Sequence, residues 1–190
     1  MNNLLKPGGN ISGVSYYVQI ERQLRFFQKI IPNMDTIGVI FDAKNKSRYV
    51  EAGECRDAFK KLQIKFLYKL IDTKLDLPKA AQELIDQNVD AIIAASSEVV
   101  YNNIYLIKPI TDKNKIPIFS FNMKWVKNGA IAALSSDYYL MVDELLIPMI
   151  KQVIYESKSP GNIPIGFLSK HIKSINATQA GIITQADNIF

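Results

Sequence analysis

Thr36-Ile-Gly-Val-Ile-Phe-Asp42 is an apolar run closed by a carboxylate. Its length suits a strand, and its lack of polar alternation marks one buried on both faces, as in parallel sheets. Upstream, Ile20, Leu24, Phe27 and Ile31 recur at helical spacing, and the helix they predict stops at Pro32. Downstream the pattern alternates. A helix is predicted over about 48–62 and a strand over about 65–70. Pro78, after Asp76, sits at the first helical position of a helix over 79–87. Asp90-Ala-Ile-Ile-Ala-Ala-Ser96 is a further buried strand, followed by a helix over about 98–111 that bends at Pro109. Pro117-Ile-Phe-Ser-Phe-Asn122 and Gly129-Ala-Ile-Ala-Ala-Leu-Ser135 complete about five strands. Strands and helices alternating over short connections imply βαβ units, so the predicted fold class is α/β with a doubly wound parallel sheet.

The two ends of the chain read differently. Pro7-Gly-Gly-Asn-Ile-Ser-Gly-Val-Ser15 is a glycine-rich turn leading into a short extended run, a pattern that suits a hinge or a crossing strand. Residues 138–156 have helical apolar content (Met141, Leu145, Met149, Val153), interrupted by Pro148. An interior proline costs ~3 kcal/mol unless a kink accommodates it. Residues 172–180 read as a short strand running into the start of a helix.

Composition narrows the function. A chain of 190 residues, 48% apolar and 22% charged, can bury a sizeable core and is not of the disordered class. Its apolar runs fall well short of the ~20 residues that span a bilayer, and its first residues lack the apolar segment of a secretory signal. The net charge of +5 comes from scattered lysines, with arginine only at 22, 25, 48 and 56. Nucleic-acid readers cluster their basic residues on one element, so no nucleic-acid partner is expected. The single cysteine, Cys55, shares a helical face with Phe59 and Leu62 and reads as a packed thiol. The single histidine, His171, is far in sequence from any candidate nucleophile. No Cys/His spacing suits a metal, and Gly8 to Gly13 forms neither a dinucleotide fingerprint nor a Walker loop. Catalysis, cofactor and metal are therefore not expected.

Several phrases in order carry a family resemblance. Lys6-Pro-Gly-Gly-Asn-Ile-Ser-Gly-Val-Ser15, the helix from Glu21-Arg-Gln-Leu24 to Ile31-Pro32-Asn33, and Ile37-Gly-Val-Ile40 are three of them. Val89-Asp-Ala-Ile92, Ile116-Pro-Ile-Phe119, Gly129-Ala followed by Ala132-Ala-Leu134, and Asp137-Tyr-Tyr139 continue the series. Ile175-Asn-Ala-Thr-Gln-Ala180 ends it, less closely. Together they resemble the ABC-transporter substrate-binding proteins of the periplasmic-binding-protein type I class, in the tryptophan/tyrosine-uptake subfamily. Each phrase alone is weak; the order and spacing make the signal.

The resemblance implies two α/β lobes joined by hinge strands, with a small solute clamped between them and no chemistry performed. It implies a flavodoxin-like second lobe over 15–136. Residues 1–14 become a hinge remnant, and 137–190 a crossover helix and terminal segment of a first lobe whose main sheet is not in this chain. The apolar side of the 138–156 helix would then be exposed, repacked, or buried against another chain. The implied partners are an amino-acid-like solute, an ABC permease, and either a separate N-terminal lobe or a second copy. The implied location is periplasmic or extracytoplasmic. Two alternatives stand beside an importer's partial binding component. One is the ligand-sensing lobe of a regulatory protein, and the other is a non-functional truncated remnant.

Ligands of open α/β sheets bind beyond the carboxyl ends of the strands. The loops there hold Asp42, Ser47, Ser96, Ser97, Asn122 and Asp137, the expected ligand-binding residues. Relative to the family's loops N-P-S-E-x-N-S, T-D-N and S-D-T, Ser47 replaces an asparagine, and Ser97 and Asn122 replace aspartates. Two carboxylates suited to a ligand ammonium have thus become neutral, with Asp42, Glu98 and Asp137 left as substitutes. The same residues also suit plain capping: Ser96 and Ser97 precede a helix, and Asp42 ends a strand. Trp125 either stacks on a ligand or packs in the core.

Overall fold

The computed structural model describes residues 3–178. They fold as two compact units: Gln19–Leu134 with the residues from Lys173 on, and Ser135–Ile172 with the residues up to Val18. Among the described residues no helix is long and apolar enough to cross a membrane.

The first of these units is built on a sheet whose centre is the apolar run Thr36–Asp42. β2 (Thr36–Asp42) pairs in parallel with β3 (Lys65–Ile71) on one side and β4 (Ala91–Ala94) on the other. β5 (Ile118–Ser120), β6 (Ala132–Ser135) and β8 (Ile172–Ile175) extend the sheet in the order β3-β2-β4-β5-β6-β8. The predicted α/β class is the fold observed, with a sheet parallel from β3 through β6. Register aligns Val39 with Ile93 and Ile93 with Phe119, so these three side chains share one face.

Helix α1 (Ile20–Ile30) packs there, with the Phe27 ring stacked on Phe119 at 4.2 Å between centroids. Its buried stripe is Ile20, Leu24, Phe27 and Ile30, with Phe26 beside it. The helix stops one residue before the predicted Ile31. α2 (Arg48–Lys61) lies next to α1. On the opposite face, Gly38 and Ile40 meet α3 (Leu77–Ile85), where a Cβ on Gly38 would stand 2.8 Å from Leu84 Cδ1. Glycine here lets helix and strand approach closely. The predicted helix over 98–111 is instead α4 (Glu98–Tyr101), a 3₁₀ turn (Ile104–Leu106) and α5 (Lys108–Lys113). Pro109 sits in the first turn of α5 rather than at a bend, because a proline there forfeits no intrahelical bond.

The second unit is smaller. β1 (Val14–Ser15) pairs in parallel with β7 (Gly166–Phe167), giving only a two-stranded sheet. The glycine-rich turn crosses another segment at close range. Gly8 N donates to Gly161 O at 3.0 Å, and a Cβ on Gly161 would lie 2.3 Å from Gly9 O. The helical stretch after β6 starts as α6 (Tyr138–Leu140), becomes a π-helix over Met141–Leu146, and ends as α7 (Ile147–Ile154). Pro148 lies in the first turn of α7. The predicted interruption is thus a change of helical pitch upstream of a proline that has no N–H to donate. The phrase 175–180 extends beyond the described residues.

Candidate functional site

Strand order places a reversal between β2 and β4: the chain goes from β2 outward to β3, then returns to the other side of β2. In open α/β sheets such a switch point leaves a crevice beyond the carboxyl ends of the two strands. Asp42 closes β2, and Ser96 and Ser97 follow β4. The structure brings these residues together. Ser97 Oγ donates to Asp42 Oδ2 at 2.9 Å, across the switch point. Asp42 Oδ1 accepts from Lys44 N at 2.8 Å, which turns the β2–α2 loop. Ser97 also caps α4, accepting from Val99 N at 3.2 Å. Its hydroxyl is therefore committed in both senses, and the side chain is buried.

Ser96 is held differently, with each of its polar groups fixed by another element. Its N–H donates to the Glu51 carboxylate of α2, at 3.0 Å to Oε1 and 3.2 Å to Oε2. Its carbonyl accepts from Asn45 Nδ2 of the β2–α2 loop at 2.8 Å. Its hydroxyl accepts from the Tyr101 hydroxyl of α4 at 3.0 Å. The residue itself is exposed, so its hydroxyl keeps a hydrogen for an incoming acceptor.

Glu51 is buried, and burial raises its carboxyl above the ordinary glutamate value; the Ser96 contacts oppose that shift and the nearby Glu54 adds to it. Neither Asn45 nor Glu51 was among the expected site residues. A signal existed for Glu51: it falls at i, i+4, i+8 with Cys55 and Phe59, a carboxylate on an otherwise apolar helix face.

The remaining expected residues are less connected. Asn122 follows β5 and caps the next turn, accepting from Lys124 N at 3.0 Å. Ser47 is exposed and precedes α2 without a side-chain cap, and its N–H donates to Asn45 Oδ1 at 3.0 Å. Asp137 belongs to the smaller unit, where Oδ1 accepts from Tyr139 N at 2.9 Å and Leu140 N at 3.2 Å at the start of α6. Beside it, the buried Ser136 hydroxyl has no hydrogen-bond partner among the described residues. Trp125 is buried and stacks on Tyr101 at 5.7 Å between centroids, which is the packing role. Cys55 is buried, and desolvation pushes its thiol far above the ordinary value, so it is not poised as a nucleophile. Among the described residues no group of three or more His, Cys, Asp or Glu side chains could hold a metal. The cluster supplies hydroxyls, an amide and carboxylates at the switch point, which is chemistry for holding a polar solute.

Comparison with known proteins adds to this geometry. The family described as ABC transporter substrate binding protein matches residues 1–189. The "Tyrosine-binding protein" of Clostridioides difficile (strain R20291) is 27% identical over 173 residues, covering 90% of this chain and 48% of that protein. Among solved structures, the ligand-free, open form of a Clostridium difficile substrate binding protein with adhesive properties superposes with a TM-score of 0.84. Its identity is 21%, over 98% of this chain and 63% of that one. An ABC domain from Streptococcus pneumoniae in complex with L-Trp gives a TM-score of 0.78 at 21% identity, over 99% of this chain and 65% of that one. The chain thus spans about half the length of the curated relative it matches.

Proposed function

We propose, from the premise that the chain belongs to the family of ABC transporter substrate binding proteins, that it binds a free amino acid with an aromatic side chain for an ABC importer. The family is one of solute binders and not of enzymes, and binding without chemistry is the role the crevice suits. The observation that carries the reading is the Asp42–Ser97–Ser96 cluster at the switch point between β2 and β4, where open α/β sheets take their ligands. The aromatic preference rests on two relatives, one described as tyrosine-binding and one solved with L-Trp. Ser96 would donate to a ligand acceptor such as the α-carboxylate, and Asp42 is the carboxylate on the main sheet best placed for the ammonium. Asn122 and Ser47 line the neighbouring loops. Asp137 and the rest of the smaller unit carry the segments assigned by resemblance to the other lobe. The partner in this reading is an ABC permease, and the site of action is extracytoplasmic.

A thermal-unfolding screen of the chain against the common amino acids tests the proposal. A ligand bound only by the folded state stabilises by ~2.7 kcal/mol at a hundredfold excess over its dissociation constant. L-tyrosine or L-tryptophan is expected to raise the midpoint more than aliphatic or acidic amino acids do. A midpoint that no amino acid moves would remove the proposal.

A further inference from the structure

The candidate crevice depends on a group that does not line it. We infer that Glu51 is a positioning residue: its carboxylate, reaching from α2, sets the backbone of the β4–α4 loop so that the Ser96 hydroxyl faces the ligand. The inference deepens the proposed binding role and rests on it for the identity of the ligand.

Three observations carry it. Glu51 is only 9% exposed, so its oxygens have little water to fall back on. Both oxygens lie within hydrogen-bonding distance of one donor, the Ser96 N–H, at 3.0 and 3.2 Å. That N–H belongs to no strand ladder or helix, since β4 ends at Ala94 and α4 begins at Glu98. Without the carboxylate, the amide would be an orphan in a partly buried loop, where an unsatisfied donor is costly. Asn45 and Tyr101 hold the carbonyl and hydroxyl of the same residue, so Glu51 completes a three-sided grip on Ser96.

The test compares Glu51→Ala, which removes the acceptor, with Glu51→Gln, which keeps an oxygen in place and removes the charge. Amide hydrogen exchange of the full chain is read at Ser96, with Val39 and Ile93 of the main sheet as internal references. In Glu51→Ala, exchange at Ser96 is expected to accelerate about tenfold or more while the reference amides keep their relative protection. Glu51→Gln is expected to restore Ser96 to within about threefold of the parent. Unchanged exchange at Ser96 in Glu51→Ala would overturn the inference. So would equal acceleration across the references, or a Glu51→Gln protein as deprotected as Glu51→Ala. Titration calorimetry with L-tyrosine and L-tryptophan adds the functional arm: the affinity of Glu51→Ala should fall about tenfold, with Glu51→Gln close to the parent. If Glu51→Ala binds as tightly as the parent, the positioning role is overturned. If the parent binds neither amino acid, the proposed ligand class is wrong, and the exchange data still decide whether Glu51 sets the loop.

Discussion

Helix α1 and the helical stretch at 138–154 are both amphipathic by sequence, yet they meet opposite fates. In α1, Leu24 and Phe27 are completely buried and Ile30 nearly so. No residue of α6, the π-helical turn or α7 is buried, and Ile154 is 64% exposed. The difference lies in what each helix has beside it. α1 covers a sheet of six strands, whereas the unit holding 138–154 has a sheet of two. An isolated two-stranded sheet is marginal in water and offers little apolar surface to cover. Amphipathicity therefore states that a face wants burial, and topology decides whether burial is available.

The contrast can be broken by mutation. Phe119→Ala should have the largest effect, because it empties a fully buried site stacked on Phe27 and leaves a cavity in the main sheet. A loss of about 3–5 kcal/mol is expected in denaturant unfolding. A loss below about 1 kcal/mol would mean that the α1 face is loosely packed after all.

Glu51→Gln sharpens the comparison with charge instead of volume, since the well-packed unit buries a carboxylate as well as apolar groups. The folded-state pKa of Glu51 is raised above its unfolded value by desolvation, so the folded form holds this proton more tightly. Stability from that source is full at pH below the unfolded glutamate value and is lost as pH rises through the raised folded value. Glu51→Gln should remove that decline and be at least as stable as the parent at neutral pH. Chemical denaturation from acid to neutral pH checks this, and an unchanged pH slope would refute it.

Ile154→Ala is expected to do least, within about 0.5 kcal/mol, because the side chain has little packing to lose. A loss comparable to that of Phe119→Ala would show that this face is covered in solution, and the contrast between the helices would fail.

Much of the main sheet could be read from local pattern. The runs at 36–42 and 90–96 have the short length and apolar density of strands buried on both faces, and they became β2 and β4. The helix over 98–111 broke into three pieces because apolar content does not reveal where a turn tightens. β1 and β7 are two residues each, too short for any periodicity to register. At the crevice, Asp42, Ser96 and Ser97 were legible as polar residues at strand ends, since that position follows from the βαβ pattern. Their mutual contact was not, because it joins residues 55 positions apart in sequence. Asn45 and Glu51 were not legible as site residues for a related reason: one looks like a turn former and the other like a first-turn helix acid, both ordinary uses of those side chains.

From sequence alone came the α/β class, the family and the strand ends where a ligand is expected, all consequences of local periodicity and ordered short phrases. Tertiary structure alone decided that β2 sits between β3 and β4, which creates the switch point. It also decided that Ser96 is gripped by three elements and that no residue at 138–154 is fully buried, Leu145 and Met149 being half-buried beside Gly166. Those outcomes depend on which distant segments meet, and pairing across the chain is set by the packing of the whole rather than by any local run of residues.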